Sequence, residues 1–214
     1  YGAKEGARIY RATLAVLLSE AVARRFPGAR VQVGQSFGDA VFFEVVKEPS
    51  LSPADVQAIE AEMRDMIQRK DPIAVMRVQK QEAIEALRAS GAEASADVVR
   101  TSRRSWVPLV TMGGRVHLWF QPLLPTAEGI REFAVRPWAG GLVLCPPPAG
   151  KPDATPEPMR GAESLFTVYR ETREWNARVG VSSVPDLNRA VIGGAIGEVI
   201  RVAEALHERK LVAI

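Results

Sequence analysis

Apolar positions along the chain alternate between a helical period and a strand period. Over residues 7–26, Leu14, Leu17, Leu18, Ala21 and Val22 recur three and four apart, which predicts a helix with one buried stripe. Pro27-Gly28 ends it, because proline cannot continue the ladder and glycine suits the exit turn. Two β-rich runs, 30–37 and 40–47, then flank Gly38-Asp39, which reads as a hairpin turn. Ser52-Pro53-Ala54-Asp55 marks the start of a second helix. Serine caps, proline fits the first helical position, and the acid faces the positive end of the dipole. Its stripe is Val56, Ile59, Met63, Met66 and Ile67. A strand over 73–78 and a helix over 80–89 follow, and the small, polar, basic stretch 90–105 reads as surface helix or loop. Two further hairpins are predicted, 106–112 with 115–120 around Gly113-Gly114, and 134–138 with 142–145 around Gly140-Gly141. Six prolines between Pro146 and Pro158 exclude regular structure there. Beyond them the pattern is helical over 162–178, 185–193 and 197–209, with Ser183 and Asp186 resembling a capping box.

Strands joined by tight turns favour antiparallel pairing. The predicted class is therefore α+β, an antiparallel sheet with packed helices followed by a helical C-terminal segment. The domain reading is 1–145 for the α+β part, 146–160 for a Pro-rich loop and 161–214 for a helical connector. The connector's apolar residues, Leu165, Trp175, Leu187, Val191, Val199 and Ile200 among them, predict helices docked on the sheet domain.

Composition narrows the class without naming a chemistry. With 47% hydrophobic and 25% charged residues in 214, wholesale disorder and collagen-like repetition are excluded. No uninterrupted apolar run approaches a membrane span, so no membrane partner is expected. The single cysteine, Cys145, excludes an intrachain disulfide framework and a cysteine-based zinc cluster, and fits a cytoplasmic location. A start at Tyr1 without a charged-then-apolar leader reads as a piece of a longer protein. The net charge of +3 is mild, although Arg24, Arg25 and Arg30, and again Arg100, Arg103 and Arg104, cluster locally. Each cluster reads either as a solvated face or as a contact to RNA.

Candidate chemistry is sparse. Only His117, on an alternating strand, and His207, in the last helix, can act as an imidazole base, and their separation gives no metal-ligand spacing. The glycines of Gly193-Gly194-Ala195-Ile196-Gly197 follow a helical segment and lack the lysine of a phosphate loop, so they read as a helix break. Glu171 and Glu174, interleaved with arginines, read as surface ion pairs. Trp138, Trp175 and Phe42-Phe43 read as core. No catalytic set emerges from the residues themselves.

Two stretches resemble the editing domains of threonyl- and alanyl-tRNA synthetases. LLSEAVARRFPGARVQVGQSFGDAVFFEV is similar to that family's helix, Phe/Trp-Pro step and strand hairpin, and LSPADVQAIEAEMRDMIQRKDPIAVMRVQKQEA to its next helix and exit. Gln121-Pro122-Leu123-Leu124-Pro125-Thr126 resembles the family's Pro-rich loop. The tail, with its "DLN" and "EALHERK" phrases, resembles the connector of a bacterial fusion family in which a synthetase-like region precedes a uridine-kinase-like domain.

The resemblance implies a cleft built from H-x-x-x-H on the first helix and C-x-x-x-H in the Pro loop. Those four positions fall on Ala12, Val16, Trp119 and Leu123, none of which ligates zinc or transfers a proton. His117 lies two residues before the cysteine position and is the one candidate polar group of that degenerate cleft. The implied function is a non-catalytic accessory region, for binding, regulation or oligomerisation, of a nucleoside-kinase-like protein. The alternative is a relict aminoacyl-tRNA deacylase or a tRNA/RNA-binding module. No metal or cofactor is expected in this chain. ATP and Mg are implied for a kinase domain outside it, and the implied partners are that domain, a second copy of the chain, or RNA.

Overall fold

The computed structural model describes residues 4–157, 161 and 163–212; Pro158 and the helix start expected at Ala162 lie outside the described residues. The chain divides into two units whose segments alternate along the sequence, one of residues 1–78 with 108–160, the other of 79–107 with 161–214.

The first unit is organised on a long helix, α1 (Lys4–Arg25). Leu14, Leu17, Leu18, Ala21 and Val22 are all fully buried, as the stripe predicts. A second helix, α2 (Pro53–Gln68), packs beside it through Val56, Ile59, Met63 and Met66. Its start is a complete capping box. The Ser52 hydroxyl accepts from the Asp55 amide, and the Asp55 carboxylate accepts from the Ser52 amide at 2.9 Å. Hydrogen bonding from Ser52, reinforced by Lys47, holds the Asp55 carboxyl below the usual range.

The helices cover a four-stranded sheet in the order β1 (Arg30–Phe37), β2 (Ala40–Val46), β7 (Gly141–Cys145), β6 (Ala134–Trp138), with antiparallel pairing throughout. Phe43, Leu142 and Leu144 from its inner face join the α1 and α2 side chains in one core. A three-stranded sheet has the order β3 (Ala74–Gln79), β4 (Trp106–Met112), β5 (Arg115–Leu118), with β4 and β5 antiparallel.

The last hairpin corrects the expected turn by one residue. Trp138 pairs with Gly141, so the turn is Ala139-Gly140, both at positive φ (46° and 81°). Gly141 lies inside the strand for a steric reason, since a Cβ there would stand 2.4 Å from the Phe43 carbonyl oxygen.

The second unit is helical. The expected surface stretch after residue 90 is a helix, α4 (Glu93–Thr101), with Ala96 and Val99 buried, and it packs on α3 (Lys80–Ala89). The tail forms α5 (Glu163–Arg178), α6 (Val184–Ile192) and α7 (Ile196–Val212). α6 contacts α4 and α7, with the Asn188 amide donating to the Thr101 hydroxyl at 3.0 Å and Arg189 reaching Asp97 at 3.2 Å. α5 has no buried residue, and Leu165, Val168, Leu187, Val191 and Ile200, read as core-facing, are exposed. Among the described residues no helix is long and apolar enough to cross a membrane.

Candidate functional site

Residues four apart share one face of a helix, and on α1 that row runs Ala12, Val16, Glu20, Arg24. Ala12 and Val16 are buried at 3% and 1% exposure. Trp119, just past the end of β5, and Leu123, in the Pro loop, are partly buried and pack against the core that contains Val16. The Trp119 indole Nε1 is buried and has no hydrogen-bond partner among the described residues. An indole N–H only donates, so it cannot bind a metal or accept a proton.

The surrounding loops are tied to the same helix by polar residues that its apolar periodicity does not advertise. The Thr13 hydroxyl donates to the Ile9 carbonyl at 2.8 Å and accepts from the Leu124 amide at 3.0 Å, which anchors the Pro loop. The Tyr10 hydroxyl donates to the Glu132 carbonyl at 2.9 Å and accepts from the amides of Arg131 and Glu132. Burial raises the Tyr10 phenol above its ordinary pKa, with the two backbone bonds partly opposing.

One turn beyond Val16 the row becomes ionic. The Glu20 side chain is fully buried. Its Oε1 accepts from Arg24 Nε at 2.7 Å, while its Oε2 lies 3.0 Å from His117 Nε2 and 4.0 Å from Arg115 Nε. Arg24 also reaches Glu62 at 3.3 Å and Asp71 at 3.1 Å, and Arg69 bridges those same two carboxylates from outside. Burial lowers the pKa of the Arg24 guanidinium, but the carboxylates of Glu20, Asp71 and Glu62 together outweigh it and raise the value. The β4–β5 turn closes over the pair. Gly113 (φ 57°) comes so near that a Cβ would stand 2.2 Å from Arg24 Nη2 and 2.4 Å from Glu20 Oε1.

This geometry bears directly on catalysis. Beside two guanidiniums the Glu20 carboxylate accepts, so His117 Nε2 is the donor in their bond. That is the orientation of a carboxylate–histidine pair, with the imidazole side chain 17% exposed. No nucleophile accompanies it at the row positions Ala12 and Val16.

The structure brings His117 onto α1 through Glu20, a residue the sequence reading passes over. Its signal was a carboxylate in an otherwise apolar stripe, four residues after Val16. Arg24, read as part of a solvated or RNA-facing cluster, is engaged inside the unit instead. His207 is exposed on α7. Phe42 and Phe43 are core, at 4% and 0% exposure, whereas Trp138 and Trp175 are only partly buried. Cys145 is buried in β7, and burial pushes its thiol pKa up, away from reactivity. Among the described residues no group of three or more His, Cys, Asp or Glu is placed to hold a metal.

No protein-family model matches the chain. It is similar at low identity to threonine–tRNA ligases. It is 27% identical to that of Nitratidesulfovibrio vulgaris strain Miyazaki F over 136 residues, 64% of this chain and 21% of the ligase. It is 24% identical to that of Finegoldia magna over 137 residues, 64% of this chain and 22% of the ligase. To that of Nitrosococcus oceani it is 26% identical over 137 residues, again 64% of this chain and 21% of the ligase. The matched stretch thus spans about a fifth of the length of these curated relatives.

Proposed function

We propose that this chain is a synthetase-editing-like module that has lost hydrolysis and serves as an accessory, binding region. The observation that carries this reading is the chemistry of the four cleft positions. Ala12 and Val16 are buried apolar side chains, Trp119 offers only an N–H, and Leu123 packs on the core. The similarity to threonine–tRNA ligases supports the frame, and function resides in the site that a frame carries. Glu20 does not replace the missing groups, because it is buried and already committed to Arg24 and His117. The tail's resemblance to a uridine-kinase fusion connector supports placing the module beside a nucleoside-kinase-like domain, with ATP and Mg belonging to that domain.

A second reading, a relict aminoacyl-tRNA deacylase, is favoured by the His117–Glu20 pair alone. Zinc titration by calorimetry tests the first reading. The whole chain should show no stoichiometric site, and a micromolar or tighter site weakened by His117→Ala overturns the claim that the cleft has no ligand set (about 8 kcal/mol at micromolar Kd).

A further inference from the structure

The helix α7 is amphipathic yet unburied, a feature independent of the reading above. At 3.6 residues per turn, Ile196, Val199, Ile200, Val202, Ala203 and Leu206 fall within one arc of about 160°, with His207 inside it toward the C-terminal end. Glu198, Arg201, Glu204 and Glu208 occupy the opposite side. A helix divided in this way ordinarily lays its apolar arc on a core. Here none of the six is buried, and Ile200 and Val202 are 49% and 42% exposed. α6, which touches α7, repeats the pattern. Asn188 and Arg189 hold it to α4, while Val184, Leu187 and Val191, three and four residues apart on another face, are exposed.

Charge and symmetry select what covers this arc. Residues 196–212 carry three acids, Glu198, Glu204 and Glu208, and three bases, Arg201, Arg209 and Lys210. A helix lying on anionic lipid or along a phosphate backbone carries an excess of lysine and arginine, which this one lacks. Symmetry favours a second copy. When two α7 helices run antiparallel about a two-fold axis at position 201, Ile196 meets the partner's Leu206 and Val199 meets the partner's Ala203. Ile200 and Val202 then each lie beside the same residue of the other copy, on either side of the axis. Every apolar residue of the arc thus finds an apolar neighbour, and does so reciprocally, as an isologous interface requires. The antiparallel arrangement also sets each helix N-terminus beside the other's C-terminus, the favourable alignment of helix dipoles.

We propose that α7 pairs antiparallel with α7 of a second copy of this chain, flanked by the exposed row of α6. A standard interface takes about 800 Å² and 20–30 residues per partner, and the 17 residues of α7 with the 9 of α6 reach that range. Pairing supplies the tertiary packing on which an amphipathic helix of this length depends.

Sedimentation equilibrium of the whole chain tests this, with circular dichroism as the check on folding. The wild type should dimerise reversibly with a Kd of about 100 µM or tighter. Ile200→Glu and Ile200→Lys, at a site already half in solvent, should each keep the helix content and weaken dimerisation by at least about a hundredfold, because like charges then face each other at the axis. An equimolar mixture of the two variants should dimerise again, which misfolded variants would not. Arg201→Ala, on the polar side, should dimerise like wild type. Copper-phenanthroline oxidation reads the register. Ile196→Cys mixed with Leu206→Cys should give a disulfide-linked dimer, and Ile196→Cys alone should not, since antiparallel pairing keeps the two copies of position 196 about 15 Å apart along the axis. Cys145 is buried and does not compete. The proposal is overturned if the wild type is monomeric at about 100 µM. It is also overturned if either charge variant dimerises alone like wild type, if their mixture stays monomeric, or if Ile196→Cys alone cross-links. Capture of monomeric wild type by phosphatidylglycerol vesicles, lost in Ile200→Glu, assigns the arc to a lipid surface and overturns it too.

Discussion

Replacing Arg24 by methionine isolates what the buried ionic row contributes. Methionine keeps an apolar stem of similar reach and removes the guanidinium. Glu20, with no exposed surface, then loses its bond at 2.7 Å, and Glu62 and Asp71 lose contacts at 3.3 and 3.1 Å. Removing one partner of a buried pair costs about 3–5 kcal/mol. The lower end applies here, because the Arg24 side chain is 23% exposed and Glu20 keeps His117 at 3.0 Å. A loss of about 3 kcal/mol corresponds to roughly 6–12 °C in Tm for a chain of this size. Glu20→Gln is milder, because Arg24 retains two carboxylates. The double variant should cost less than the sum of the two by about 1–3 kcal/mol, the signature of residues in direct contact. Urea denaturation followed by circular dichroism measures all three variants. A loss below about 1 kcal/mol for Arg24→Met, or strict additivity, refutes the claim that this row is an energetically coupled buried network.

Two further outcomes follow from the same structure. Gly113 and Gly114 both have positive φ, so alanine costs roughly 1–2 kcal/mol of backbone strain at either. Gly113→Ala must also push apart Arg24 and Glu20, whereas Gly114 has open space, so Gly113→Ala should be the more destabilising, and equal Tm values contradict the contact. Asp97 is held below its ordinary pKa first by Arg100 and then by Arg189. A depressed folded pKa stabilises above the unfolded value of about 3.9 and loses that contribution as pH falls through the folded one. An NMR carboxyl titration should therefore show Asp97 moving up in Arg100→Ala, and less in Arg189→Ala, while an unmoved titration in both contradicts the pairing.

Much of the fold was legible because period and turn chemistry agree. The stripe on α1, the Ser52–Asp55 cap and the hairpins at Gly38 and Gly113 are local signals, and the structure keeps them. The site was less legible because its groups meet through the fold. Glu20 and His117 are 97 positions apart, and only the burial of a carboxylate within an apolar stripe hinted at a partner. Thr13 ties down the Pro loop with a single hydroxyl, which no periodicity records. Gly141 looked like a turn glycine and is instead a strand residue kept small by the Phe43 carbonyl and the Phe42 ring. In the tail, an apolar stripe signalled helices correctly but not burial, since a pattern specifies a face and not what covers it.

The central claim is that the editing-like frame binds without hydrolysing, and aminoacyl-ester turnover measures this most directly. Purified chain is incubated with a radiolabelled aminoacyl-tRNA at neutral pH, and the residual ester is followed against a protein-free control. The account predicts decay at the uncatalysed rate for wild type, His117→Ala and Glu20→Gln alike. Acceleration that scales with enzyme concentration in wild type and disappears in His117→Ala contradicts it and makes the His117–Glu20 pair a working hydrolytic site.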